Sequence, residues 1–257
     1  MEQPHRKELS KAKHILEEPA FAAKISNLIA MPLEKGIQLL PDSWAETLNN
    51  VSRDALENAL KVAVVTLDDN HQTSSHETLH KFAVTVTGAG GGAFGLPALA
   101  GELPISTVII LRSIADIGRS EGEDLRHPEA RLACLQVFAL GGRAIEDDAA
   151  ESGYFAVRTA LASAITEAAR HIAKGGMVNE TAPILLRLIA SIAGRFGIAV
   201  SQKAAAQAIP LIGAAGGALI NLAFIDHFQG MARGHFIVRR LERLYGEDIV
   251  RAEYDKL

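Results

Sequence analysis

One pattern in this sequence matches a catalytic metal site: His76-Glu77-Thr78-Leu79-His80. On a helix, histidines four residues apart project from one face and can share a zinc ion. The glutamate beside the first can then act as general base on the metal-bound water. That chemistry is hydrolysis of the metallopeptidase kind, with zinc as cofactor, His76 and His80 as ligands and Glu77 as the catalytic base. Such a site needs a third ligand, and Ala83 stands where the extended HExxHxxGxxH pattern requires glycine. Glu102, Asp116, Asp147, Asp148, Glu151 and His227 are the candidates, and spacing selects none of them. The same residues also have a structural use. Ser74 lies three residues before Glu77, which is the spacing of a capping box, and in that role Glu77 caps a helix and is not a base.

The other motifs are weaker. Residues 89–95 echo a dinucleotide fingerprint, but no strand precedes them and no βαβ pattern surrounds them. The segment 118–124 carries glycines without the Lys-Ser/Thr of a phosphate loop, so it reads as a helix-ending turn. Glu146, Asp147, Asp148 and Glu151 lack the glycine and terminal glutamate of a calcium loop and read as a solvated acidic stretch. His227 and His235 read as hydrogen-bonded structural histidines. No Gly-x-Ser-x-Gly nucleophile elbow occurs.

The elements that must position these residues are helical. Of 257 residues 48% are hydrophobic but only 5% aromatic, and the net charge is -4, which excludes disorder as the dominant state. Asp and Glu (30) outnumber Lys and Arg (26), which argues against a nucleic-acid partner. The single Cys134 sits in an apolar run and cannot form an intrachain disulfide, so it reads as a buried thiol. With no signal peptide visible, the expected compartment is the cytoplasm. Apolar spacing predicts helices over 6–18 and 21–29. A long helix follows from Trp44, capped by residues 41–43, and others cover 128–139, 154–173, 179–197 and 236–245, the last stopped by Gly246. The expected fold is all-α, one multi-helix bundle over 1–257 with an N-terminal helical arm (1–40) and a core (41–257).

Two stretches stand apart. Residues 82–101 and 204–225 are free of charge, and each combines proline with a glycine cluster. Gly88 and Gly92, Gly91 and Gly95, and Gly213 and Gly217 are spaced four apart, which lets helix backbones approach closely. Each run has about the ~20 residues that cross a bilayer. Pro97, Glu102 and Pro104 interrupt the first stretch, which favours a pair of glycine-rich apolar helices or hairpins packed at the centre of the bundle over membrane-spanning segments. Lipid contact is the alternative use of the same surface.

The stretch 209–221, with Ala232, Phe236, Arg240, Leu241 and Tyr245-Gly246 after it, resembles the C-terminal signature of the EcsC family. Glu102-Leu103-Pro104, Ile114-Ala115, Gly118 and Gly122-Glu123-Asp124 also fit that pattern. The likeness covers roughly residues 10–250. It implies a helical protein of unsettled activity from an operon setting that includes an ABC-type transporter, linked to secretion; some close relatives carry the label peptidase. It implies, too, that Glu102-Leu103-Pro104 is a turn and that the histidine pair lies outside the family pattern. Glu102, Asp116, Asn221 and Asp226 become the polar residues of interest, as a pocket for a small molecule or lipid headgroup. The leading expectation is a cytoplasmic accessory or binding factor, peripheral at the inner membrane. Its partners would be membrane lipid, a membrane protein or a second copy, with Gly88, Gly92, Gly95, Gly213 and Gly217 on the apolar contact face. A zinc hydrolase is the alternative.

Overall fold

In the computed structural model, which describes residues 1–17, 21–29, 32–41, 43–67, 96–142, 153–175, 182–209 and 213–257, ten helices follow one another among the described residues. They are α1 (Gln3–Glu17), α2 (Phe21–Ile29), α3 (Leu33–Ile37), α4 (Trp44–Thr66), α5 (Leu96–Ser120), α6 (Pro128–Leu140), α7 (Gly153–Ala173), α8 (Pro183–Gln207), α9 (Gly213–Tyr245) and α10 (Glu247–Lys256). No strand occurs among these residues, so the fold is all-α as the periodicity requires.

The axis of the bundle is α9, whose 33 residues give it a length of about 50 Å. Alongside it α5 runs in the same direction. Asn221 meets Glu102, Gln229 Nε2 donates to Ser113 Oγ (2.6 Å), Phe236 packs over Gly118, and Arg239 meets Glu123. On another side α1 runs antiparallel to α9, with Glu8 against Arg240 and Leu16 against Gly234, where a Cβ would come within 2.7 Å of the leucine. The chain therefore travels down α9 and on through α2 to α3, and Gly36 of α3 rests on α8. A side chain at Gly36 would collide with the carbonyl oxygen of Ala205, so only glycine fits that approach. α6 is buried from Ala130 to Leu140, the mark of a helix at the centre of the core. Around it gather five of the nine phenylalanines. Phe138 lies 5.0 Å from Phe196 and 5.2 Å from Phe228, Phe224 lies 5.0 Å from Phe228, and Phe21 of α2 lies 5.4 Å from Phe224.

Side chains close the helix ends where carbonyls would otherwise lack partners. Arg131 donates to Val64 O (2.6 Å) and Arg119 to Leu67 O (3.2 Å) at the end of α4; Arg195 donates to Ala139 O (3.3 Å) at the end of α6. These cations also complement the negative end of each helix dipole.

Several expectations are corrected here. Pro104 does not interrupt the chain but lies inside α5, so Glu102-Leu103-Pro104 is helical and not a turn. Pro97 sits in the first turn of that helix, where a missing N–H costs nothing. The second uncharged run is shared between two helices, ending α8 at Gln207 and opening α9 at Gly213, and α9 then continues unbroken through the predicted 236–245 helix. Ser43 precedes α4 without a side-chain cap hydrogen bond. Beyond Gly246, which turns the chain at φ +90°, α10 was not expected. A glycine-built centre is not observed: Gly88, Gly92 and Gly95 fall outside the described residues, and Gly101 of α5 has nothing within 4 Å. Gly217 is buried in α9 and Gly213 opens that helix. The tight glycine contacts instead join Gly36 to α8, Gly234 to α1, Gly141 to Phe228 of α9, and Gly142 to the carbonyl of Arg195.

Candidate functional site

The buried polar residues of α5, α8 and α9 meet at one end of the bundle. Glu102 lies in the second turn of α5 with 7% of its surface exposed, and Lys203 near the end of α8 is 0% exposed. Lys203 Nζ donates to Glu102 Oε2 at 2.7 Å, and Asn221 Nδ2 donates to Glu102 Oε1 at 3.0 Å. The ammonium also lies 4.7 Å from the centroid of Phe224, over a ring face that attracts cations. Both carboxylate oxygens are thus used, and three helices are pinned at a single carboxylate. Taking two charges out of water costs several kcal/mol per ion. The pairing repays this only with good geometry and extra hydrogen bonds, which Asn221 and Phe224 help to supply.

The sequence reading found two of these residues and missed Lys203. The signal was present. Glu102 is the only charge between Lys81 and Arg112, and Lys203 the only one between Arg195 and Asp226. Two apolar stretches that each carry one charge, of opposite sign, are expected to pair.

Asp116 and Asp226 do not join this cluster. Asp116 lies 14 residues further along α5, about 21 Å away by helical rise, and pairs with Arg119 Nη1 at 2.9 Å. Asp226 is exposed on α9. The four-residue pocket is therefore replaced by the three-residue cluster of Glu102, Lys203 and Asn221. His76, Glu77 and His80 lie outside the described residues, as do Asp147, Asp148 and Glu151. Of the other proposed third ligands, Glu102 and Asp116 are engaged as above. His227 donates Nε2–H to Gly141 O at 2.8 Å, closing the end of α6. Among the described residues no group of three or more His, Cys, Asp or Glu is placed to hold a metal ion.

Among the described residues, the end with Glu102 shows few ion pairs and several exposed apolar side chains. Ile37 and Leu39 follow Gly36, Ile105 lies one turn beyond Glu102, and Leu219 two residues before Asn221; they are 51%, 51%, 55% and 48% exposed. The opposite end, where α5 and α9 finish, is built from charge. Glu123 takes Arg239 Nε at 2.8 Å and Nη2 at 3.0 Å, with Arg243 also on Oε1. Arg240 bridges Glu121 (2.7 Å) and Glu8 (2.9 Å). Burial raises the Glu123 pKa, but Arg239 and Arg243 together outweigh it and hold the carboxyl below its ordinary value. Nearby, burial and the charges of Arg158 and Arg239 keep His235 neutral, with a pKa well below the usual imidazole value. Burial pushes His227 down to about 4 and the Cys134 thiol up to about 12, so Cys134 is an inert core residue, as its apolar neighbours suggest.

Fold and site together define a helical bundle with one end closed by a buried ion pair and the other by a network of arginine–glutamate pairs. The chain belongs to the EcsC protein family, whose pattern it matches over residues 3–241. No curated protein and no solved structure matches it.

Proposed function

We propose that this protein is a membrane-associated accessory factor that meets lipid with the end of the bundle formed by α3, the start of α5, the end of α8 and the start of α9. One observation carries the reading. The Glu102–Lys203–Asn221 cluster draws the helical parts of both uncharged runs to the same end, while the ion pairs of α5 and α9 lie at the other. Ile37, Leu39, Ile105 and Leu219 supply exposed apolar surface there, Lys203 is turned inward on Glu102, and α3 adds the exposed Glu34 and Lys35. A face of this kind suits the interfacial region of a bilayer, into which apolar side chains enter while charged ones stay at headgroup level. Pro183–Gln207 is the one described helix long and apolar enough to cross a membrane, but 44% of its apolar window is buried inside the protein. Peripheral contact is therefore the better reading. The family's setting beside an ABC-type transporter makes the cytoplasmic face of the inner membrane the expected surface.

Flotation of the full chain with phospholipid vesicles tests this. The protein is expected to rise with the vesicles, and Ile105→Asp together with Ile37→Asp to leave it at the bottom of the gradient. A wild-type chain that stays wholly at the bottom contradicts the reading.

A further inference from the structure

The residues that match the family stop at Leu241, short of α10. This last helix is joined to α9 through Gly246 at φ +90° and buries only Val250 and Tyr254. The Tyr254 ring stacks on Tyr154 (5.8 Å, 27°) and meets Phe155 edge-on at 5.0 Å, while Arg251 lies over Phe155 at 5.4 Å. From α1, Lys13 donates to Tyr254 O at 2.9 Å and sits over its ring at 5.1 Å, and Arg6 pairs with Glu253 at 3.3 Å. The helix is therefore anchored by one aromatic residue in a groove between α1, α7 and α9.

The floor of that groove is held by bonds of its own. Arg158 of α7 binds both oxygens of Glu242 of α9 (2.6 and 2.9 Å) and donates to Tyr154 Oη at 3.3 Å. Tyr154 Oη in turn lies 3.0 Å from His235 Nδ1. Every link of this chain runs within α7 or between α7 and α9. The groove is thus preorganised without α10, and a preorganised site binds with less loss of freedom. We propose that α10 is a detachable strap: an intramolecular ligand that occupies a groove built to take a short amphipathic helix with a single aromatic anchor, and that keeps this groove closed to a helix of the same chemistry.

Two measurements on the full chain test this. In the first, a fluorescent peptide of residues 247–257 is titrated into the wild type and into Tyr254→Ala. The variant's strap has lost its anchor, whereas the wild-type strap competes at the roughly millimolar effective concentration of a tethered ligand. The peptide is expected to bind the variant at least tenfold more tightly than the wild type, and to lose binding when it carries the same Tyr254→Ala change. Equal or absent binding with a variant that keeps its helical circular dichroism overturns the proposal. The second is hydrogen exchange on the wild type, which does not depend on the variant folding. Amides of α10 are expected to exchange at least tenfold faster than those of 224–238 in α9, because a strap opens without global unfolding. Equal protection of the two segments overturns the proposal.

Discussion

Replacing Lys203 by methionine removes the cation that pairs with Glu102 and keeps the length and apolar stem of the side chain. The carboxylate is then left at 7% exposure with Asn221 as its remaining hydrogen-bond donor. Breaking a buried pair from one side typically costs about 3–5 kcal/mol, because it strands a charge that water can no longer reach. For a chain of this size each kcal/mol lowers the thermal midpoint by roughly 2–4 °C, so Lys203→Met should lower it by roughly 6–20 °C. The second arm is Lys203→Met with Glu102→Gln, which removes both charges while keeping an amide to meet Asn221. A neutral pair has no ion to strand, so the double variant should recover at least about 2 kcal/mol of the loss, a coupling in the range seen for directly interacting residues. Urea denaturation followed by circular dichroism gives the four free energies of the cycle. A Lys203→Met variant within about 1 kcal/mol of the wild type, or a double variant whose loss equals the sum of the two single losses, would refute the reasoning.

Other consequences follow from the same geometry. Glu123 has a folded pKa below its unfolded value, so its contribution is fully present above about pH 4.3 and fades as pH falls through the lowered folded value; Glu123→Gln should therefore lose stability at pH 7 and narrow its gap to the wild type in acid titrations. His227 has the same sign, since burial holds the ring neutral and its folded value, about 4, also lies below the unfolded one. The unfolded chain takes up its proton first below about pH 6.5, and acidification from pH 7 to 4 should cost about 3 kcal/mol at this residue, an acid sensitivity that His227→Gln reduces in thermal melts. Gly101 and Gly36 should respond in opposite ways to alanine. Gly101→Ala fills open space in a helix and should stabilise by about 0.5–1 kcal/mol, whereas Gly36→Ala meets the Ala205 carbonyl and should destabilise by about 1–3 kcal/mol in the same assay.

Much of the fold was legible because its signal is local. Leu48, Leu56, Leu60 and Ala63 repeat at helical spacing and are the buried stripe of α4, and the predicted 128–139 and 154–173 segments fall within one residue of α6 and α7. The failures occur where tertiary packing overrides a local rule. Pro104 reads as a breaker, yet α5 continues through it because the helix is packed on α4 and α9. The periodicity assigns no element to residues 226–235, but α9 runs through them because His227, Phe228, Gln229 and His235 are all buried against neighbours. Of the site, Glu102 and Asn221 were visible as polar residues in apolar surroundings. Lys203 was not, since its partner lies 101 residues away and only the complementarity of two lone charges connects them. The HETLH motif remains a feature of the sequence that the described residues do not complete into a metal site.

The central claim is that one end of the bundle, and not the other, meets lipid. It is tested most directly by an environment-sensitive fluorophore attached to a cysteine placed at Ile105 or, in a second sample, at Leu244 near the charged end. Labelling is selective because Cys134 is buried, with its thiol pKa near 12. On adding phospholipid vesicles, emission from position 105 is predicted to shift to the blue and brighten, while emission from position 244 stays unchanged. A response at 244 with none at 105, or at neither, contradicts the account.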